Sequence, residues 1–82
     1  GSIDAHFDGS SSTFDVIDAN GAAANAGLQV GDQVIAVDGA SVIDTNGHEA
    51  MQVITQRPPG TTAALTVVRG AATMTIKVIV HR

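Results

Sequence analysis

Asp4, His6 and Asp8 stand two residues apart near the start of the chain. In an extended strand that spacing puts three side chains on one face, and two carboxylates with an imidazole are donors a divalent cation accepts. Alternating polar residues on the solvent face of a strand read the same way, so the pattern serves either role. The serines at 10, 11 and 12 carry hydroxyls, yet no G-x-S-x-G elbow surrounds them and no base can be assigned. "GAAANAG", residues 21 to 27, lacks the lysine of a phosphate loop and the spacing of a dinucleotide fingerprint. His81 lies at a terminus. Cysteine is absent, which excludes disulfides, a thiol nucleophile and thiolate metal sites. The expectation is a domain that is not an enzyme, holds no metal tightly and needs no cofactor.

The 82 residues suffice for one domain with one small core. Hydrophobic residues make up 44% and charged residues 15%, a folded composition rather than a disordered one. Phe7 and Phe14 are the only aromatics, so Val, Ile, Leu and Ala must fill the interior. Net charge is −4, with every acid at or before Glu49 and every base (Arg57, Arg69, Lys77, Arg82) after it. That balance and the missing aromatics argue against nucleic acid. The scattered bases read as solvated strand faces. No apolar run approaches the ~20 residues of a membrane span, and membrane contact is not expected. Gly1-Ser2 reads as a cloning scar, leaving residues 3–82 as the single domain.

"IDAHF" and "TFDVID", joined by a Gly/Ser turn, predict a hairpin. "GAAANAGL" predicts a short helix over 22–27, with Asn20 as N-cap and Gly27 as its stop. Gln33 to Val37 predicts a strand, followed by an Asp-Gly turn and a short return strand. Ala50, Met51, Val53 and Ile54 fit one face of a helix over about 46–56, ended by Pro58-Pro59-Gly60. "TAALTVVRG" and "ATMTIKVIV" predict a closing hairpin, with Thr73, Thr75 and Lys77 alternating against Met74, Ile76 and Val78. Phe14, Val16, Leu28, Val34, Ile35, Val37, Ile54, Leu65, Val67, Ile76 and Val78 are the expected core.

"AAANAGLQVGDQVIAVDGASV", taken with "RPPGTTAALTVVRGAATMTIKVIV" after a helix, resembles a bacterial PDZ domain of the permuted, protease-associated type. Ala26, Gly27, Leu28, Gly31, Asp32, Val34, Ile35, Val37, Gly39, Val42, Gly60, Leu65, Val67 and Arg69 match the family pattern in order. The match is firm over 14–80 and loose over 3–13. It implies a mainly β, α+β fold: a five- to six-stranded antiparallel sandwich or partial barrel with two helices. The glycines of residues 25–42 are then scaffold, and the working surface lies elsewhere.

By that resemblance an extended peptide adds as a strand between residues 3–7 and the helix near 48–55. The implied binding residues are Ile3, Asp4, Ala5, His6, Phe7, His48, Met51 and Thr55. The loop that holds a ligand's C-terminal carboxylate is ordinarily an apolar-Gly-apolar triplet, and here it reads Ile3-Asp4-Ala5. An Asp there repels a carboxylate by roughly 1–3 kcal/mol and replaces the residue best suited to an unusual backbone conformation. His48 is placed either to accept a ligand hydroxyl or to sit in solvent beside Glu49, and Met51 either lines the groove or belongs to the core. Two functions follow: a monomeric peptide-binding module of a larger bacterial protease or envelope protein, periplasmic or secreted, or a structural docking domain without free C-terminus recognition.

Overall fold

A computed structural model of the chain describes residues 2–8, 11–43 and 45–81. Gly1 of the expected scar, the Gly9-Ser10 part of the first turn and serine run, and Arg82 lie outside the described residues. The element order is β1 (Ala5–Phe7), β2 (Phe14–Ile17), α1 (Ala22–Ala26), β3 (Gln33–Val37), β4 (Ala40–Ser41), α2 (Gly47–Thr55), β5 (Thr62–Arg69) and β6 (Ala72–Ile79). Among the described residues these strands form two antiparallel sheets, β1-β2 and β4-β3-β5-β6, which do not close into a barrel. Thr13 bridges Gln33, and Ser12 Oγ donates to Val34 O, so the first hairpin is tied to the start of β3. That bond accounts for the buried Ser12 in structural terms. No helix of the described residues is long and apolar enough to cross a membrane.

Local chemistry sets the element ends. Gly27 takes φ 98° as the C-cap of α1, a left-handed conformation that side chains resist, and its N–H returns to Ala23 O and Ala24 O. The N-cap of α1 is Gly21 rather than Asn20, and it offers no side-chain cap. Asp4 supplies one from 18 residues away: Ala22 N–H donates to Asp4 Oδ2 at 3.0 Å. In α2, Asn46 Oδ1 accepts from Glu49 N–H at 2.9 Å, an ordinary N-cap.

Phe14, Leu28, Val34, Val37, Ile54, Leu65, Val67 and Val78 are buried as expected, joined by Ile3, Ala5, Ala23, Val42, Ala50, Ala63 and Val80. Each fully buried aliphatic side chain contributes about 1.5–3 kcal/mol. Val16 is a correction: it is 46% exposed. The β1–β2 register shifts between His6↔Val16 and Phe7↔Phe14, leaving Asp15 as an extra residue. That bulge reverses the alternation, so Val16 lies opposite exposed His6 while Ile17 packs on the core. A shift between Val34 and Ala36 does the same in β3, which leaves Ile35 only half-buried between two buried valines. Ile76 is likewise half-buried at the edge of the core.

Arg57 and Arg69 are not solvated strand-face charges. Arg57 pairs with Asp38. Arg69 Nε and Nη2 each donate at 2.8 Å to the carboxylate of Asp32, which is 1% exposed, and Nη2 also reaches Gly27 O at 2.9 Å. Gln29 N–H donates to the same carboxylate at 2.9 Å. Arg69 first, then the Gln29 N–H, holds the Asp32 carboxyl below its usual range, against burial, and Arg69 is raised in turn.

Candidate functional site

Asp4 O accepts from Asp18 N–H at 2.9 Å, and Asp8 N–H donates to Thr13 O at 2.8 Å, so even-numbered residues of β1 face β2. Alternation turns the N–H and C=O of Ala5 and Phe7 to the opposite edge. α2 packs against β1. Between the two lies a cavity of about 240 Å³ lined by His6, Phe7, Gly47, His48 and Met51. Phe7 also packs inward, its ring centroid 4.5 Å from that of Phe14, so the cavity floor is anchored to the core.

The helix wall follows from spacing. His48, Met51 and Thr55 recur at i, i+3 and i+7 on one face of α2. Met51 is half-buried, both packed on the core and lining the cavity. His48 is exposed, with its Nε2 3.2 Å from Gln52 Nε2 one turn along. Thr55 Oγ1 donates back to Met51 O at 2.9 Å. Gly47 is the residue that sequence reasoning missed. A methyl group there would overlap Asp8 O and Ser11 O, so glycine lets the start of α2 lie against the β1–β2 turn. The signal was available: a glycine directly after an Asn cap, where alanine favours a helix more.

The remaining candidates are placed otherwise. Ile3 and Ala5 bury their side chains in the core and present only backbone at the surface. Asp4 adopts φ 61°, the left-handed conformation a glycine would take with less strain. Its carboxylate lies on the α1 side, where Oδ2 accepts from Ala22 N–H and meets His81 Nε2 at 2.6 Å. The Ala22 N–H first, and His81 second, hold this carboxyl below its ordinary range. Gly21 makes the approach possible, since a Cβ there would overlap Asp4 Cβ. Asp4 N–H donates to Ser2 Oγ at 3.1 Å. Asp4, His6 and Asp8 do not come together: among the described residues no three His, Cys, Asp or Glu side chains converge.

The PDZ-domain family model matches residues 8–80. The chain belongs to the PDZ-domain family. Its fold is similar to part of an aminopeptidase N family protein from Idiomarina loihiensis, with TM-score 0.74 and 23% identity over 96% of this chain and 13% of that one. It is also similar to part of the HtrA-type protease AlgW solved with a decapeptide, with TM-score 0.73 and 23% identity over 84% of this chain and 21% of that one. A variant of AlgW with a tripeptide gives TM-score 0.66 at 23% identity over 84% of this chain and 22% of that one. The chain thus spans only a small share of each of these proteins. No curated protein gives a match.

Proposed function

We propose that this domain binds an extended peptide by strand addition to β1, with α2 as the opposite wall. The observation that supports this is the cavity between the outward-facing backbone of Ala5 and Phe7 and the α2 face carrying His48 and Met51. An unpaired strand edge offers hydrogen bonds to any extended chain, and the side chains along the groove select among sequences. PDZ domains generally bind peptides, and AlgW was solved with peptides. A micromolar dissociation constant, about −8 kcal/mol, needs only a few edge bonds and one or two filled pockets. The domain itself does no chemistry on this reading. It serves as a monomeric module of a larger bacterial protease or envelope protein, periplasmic or secreted.

Free C-terminus recognition is weakened in this proposal. Among the loop donors, Asp4 N–H is already bonded to Ser2 Oγ, which leaves one fewer for a ligand carboxylate, while the Asp4 side chain itself turns to α1. The second reading, a docking domain that has lost this recognition, draws on the same observation. Calorimetry with matched acid and amide peptides tests both. The expected preference for the acid is below about tenfold, one hydrogen bond's worth. Asp4→Gly is expected to raise it, and Met51→Glu to weaken both peptides. Equal affinity of Met51→Glu and the native domain would count against the groove, and a strong native preference for the acid would remove the docking reading.

A further inference from the structure

Among the described residues, the β1–α2 cavity is lined by two histidines and by no acid, lysine or arginine. His6 stands on β1 between Ala5 and Phe7, whose outward N–H and C=O would meet an added strand, and His48 lies in the first turn of α2. Both are exposed, and neither belongs to an ion pair among the described residues. The carboxylates on the elements around them are Asp4 and Asp8 on either side of β1, Asp15 in the β2 bulge and Glu49 beside His48. Asp4 is drawn to α1 by Ala22 N–H and His81. Glu49 lies about 100° round the helix from His48. Gln52 Nε2 is 3.2 Å from His48 Nε2, and its amide suits either state of the ring. The NH2 donates to a neutral imidazole, and after rotation the carbonyl accepts from an imidazolium. The two imidazoles therefore set the charge of the cavity walls.

We propose, resting on the reading of this groove as the peptide site, that His6 and His48 make its choice of peptide depend on pH: acidification favours extended peptides with acidic side chains and disfavours those with lysine. Imidazole is the side chain that ordinarily changes charge between about pH 5 and 8. With both rings neutral the walls carry no charge, and selection rests on Phe7, Met51 and the edge hydrogen bonds. With both protonated, each wall carries a cation. Successive residues of an added strand turn to opposite faces. One side chain then stands beside His6 on the outer face of the sheet, and the next turns to His48 on the helix. Both histidines are exposed, so each pairing changes affinity by about threefold. The third histidine, His81, lines the α1–β6 cavity with Asp4, so substitutions at His6 and His48 separate its contribution.

The test is calorimetry of the 82-residue chain at about pH 7.5 and about pH 5.5, on either side of the ordinary imidazole range. Three acetylated, amidated peptides are compared, differing only at two successive central positions: Glu-Glu, Gln-Gln or Lys-Lys. Glutamate stays mostly ionised at both pH values. The Glu-Glu peptide is expected to tighten by about tenfold on acidification and the Lys-Lys peptide to weaken by about as much, with Gln-Gln changing by less than about twofold. His6→Gln and His48→Gln should each remove about threefold of the gain, and the double variant nearly all of it. Both positions are exposed, so the fold does not depend on them. Amide shifts at Ala5 and Phe7 with the Gln-Gln peptide report the groove itself. If these saturate while Glu-Glu binds equally at both pH values, or if the double variant keeps the native response, the histidine proposal is overturned and the groove stands. If no peptide moves those amides, the groove reading fails and this proposal falls with it.

Discussion

Asp32 and Arg69 were visible in the sequence as positions that fit a family pattern, but their pairing was not. They are 37 residues apart, and only the fold brings a strand-end guanidinium over a loop carboxylate. Asp32 is buried whereas the Arg69 head is a third exposed, so Asp32→Ala removes the hydrogen bonds from Arg69 and Gln29 and leaves a guanidinium that water reaches; it is expected to lower the urea midpoint. The folded carboxyl is depressed, so its contribution is complete above the ordinary Asp value near 3.8 and is lost as pH falls through the lower folded value. The native midpoint in urea should therefore decline below about pH 4 more steeply than that of Asp32→Asn. Asp4 adds a contribution of the same sign. Its role illustrates a harder case, because a charge in a loop triplet reads as a hazard to a carboxylate ligand. Its contacts with Gly21, Ala22 and His81 depend on a backbone turn that spacing does not reveal. Gly21→Ala should lower the melting temperature through overlap with Asp4 Cβ, and Asp4→Gly should recover part of that loss in the double variant. Additive effects would contradict the contact.

At the level of elements, strand and helix positions were largely legible, since β3 starts and ends where alternation and the Asp-Gly turn put it. What failed was strand phase. Two bulges, at Asp15 and at Ile35, break the period of two, so Val16 faces solvent although it follows Phe14 at the expected interval. A bulge depends on the partner strand as much as on its own residues, and a single strand's pattern does not contain it. The placement of α2 is equally non-local. Asn46→Ala should cost about 1 kcal/mol for a lost cap. Gly47→Ala, despite better helix propensity, should cost about 1–3 kcal/mol by forcing α2 away from the β1–β2 turn. Its amide shifts should spread through His6, Phe7 and Met51, whereas those of Asn46→Ala stay near the helix start. A stabilised Gly47→Ala would mean that the close approach is absent.

For the whole molecule, the two sheets leave strand edges at β1 and β6, and each faces a helix across a cavity. The glycine-rich stretch of residues 25–42 builds the loop, strand and turn that hold these edges apart; it lines no part of the β1–α2 cavity and reaches the other only through Asn25 and Ala26. The resemblance put the proposed groove between residues 3–7 and the helix near 48–55, and β1 and α2 flank a cavity there. The separation of Asp4 from the His48–Met51 wall was not legible, because it turns on one left-handed residue. Strand addition at β1 engages two specific amides. Titration of the ¹⁵N-labelled chain with an extended peptide, read at Ala5 and Phe7 together with His48 and Met51, tests it most directly. Strand addition predicts downfield shifts of the Ala5 and Phe7 N–H groups, slower hydrogen exchange at both, and saturation in step with shifts along α2. Binding that leaves the exchange of Ala5 and Phe7 unchanged would contradict the account.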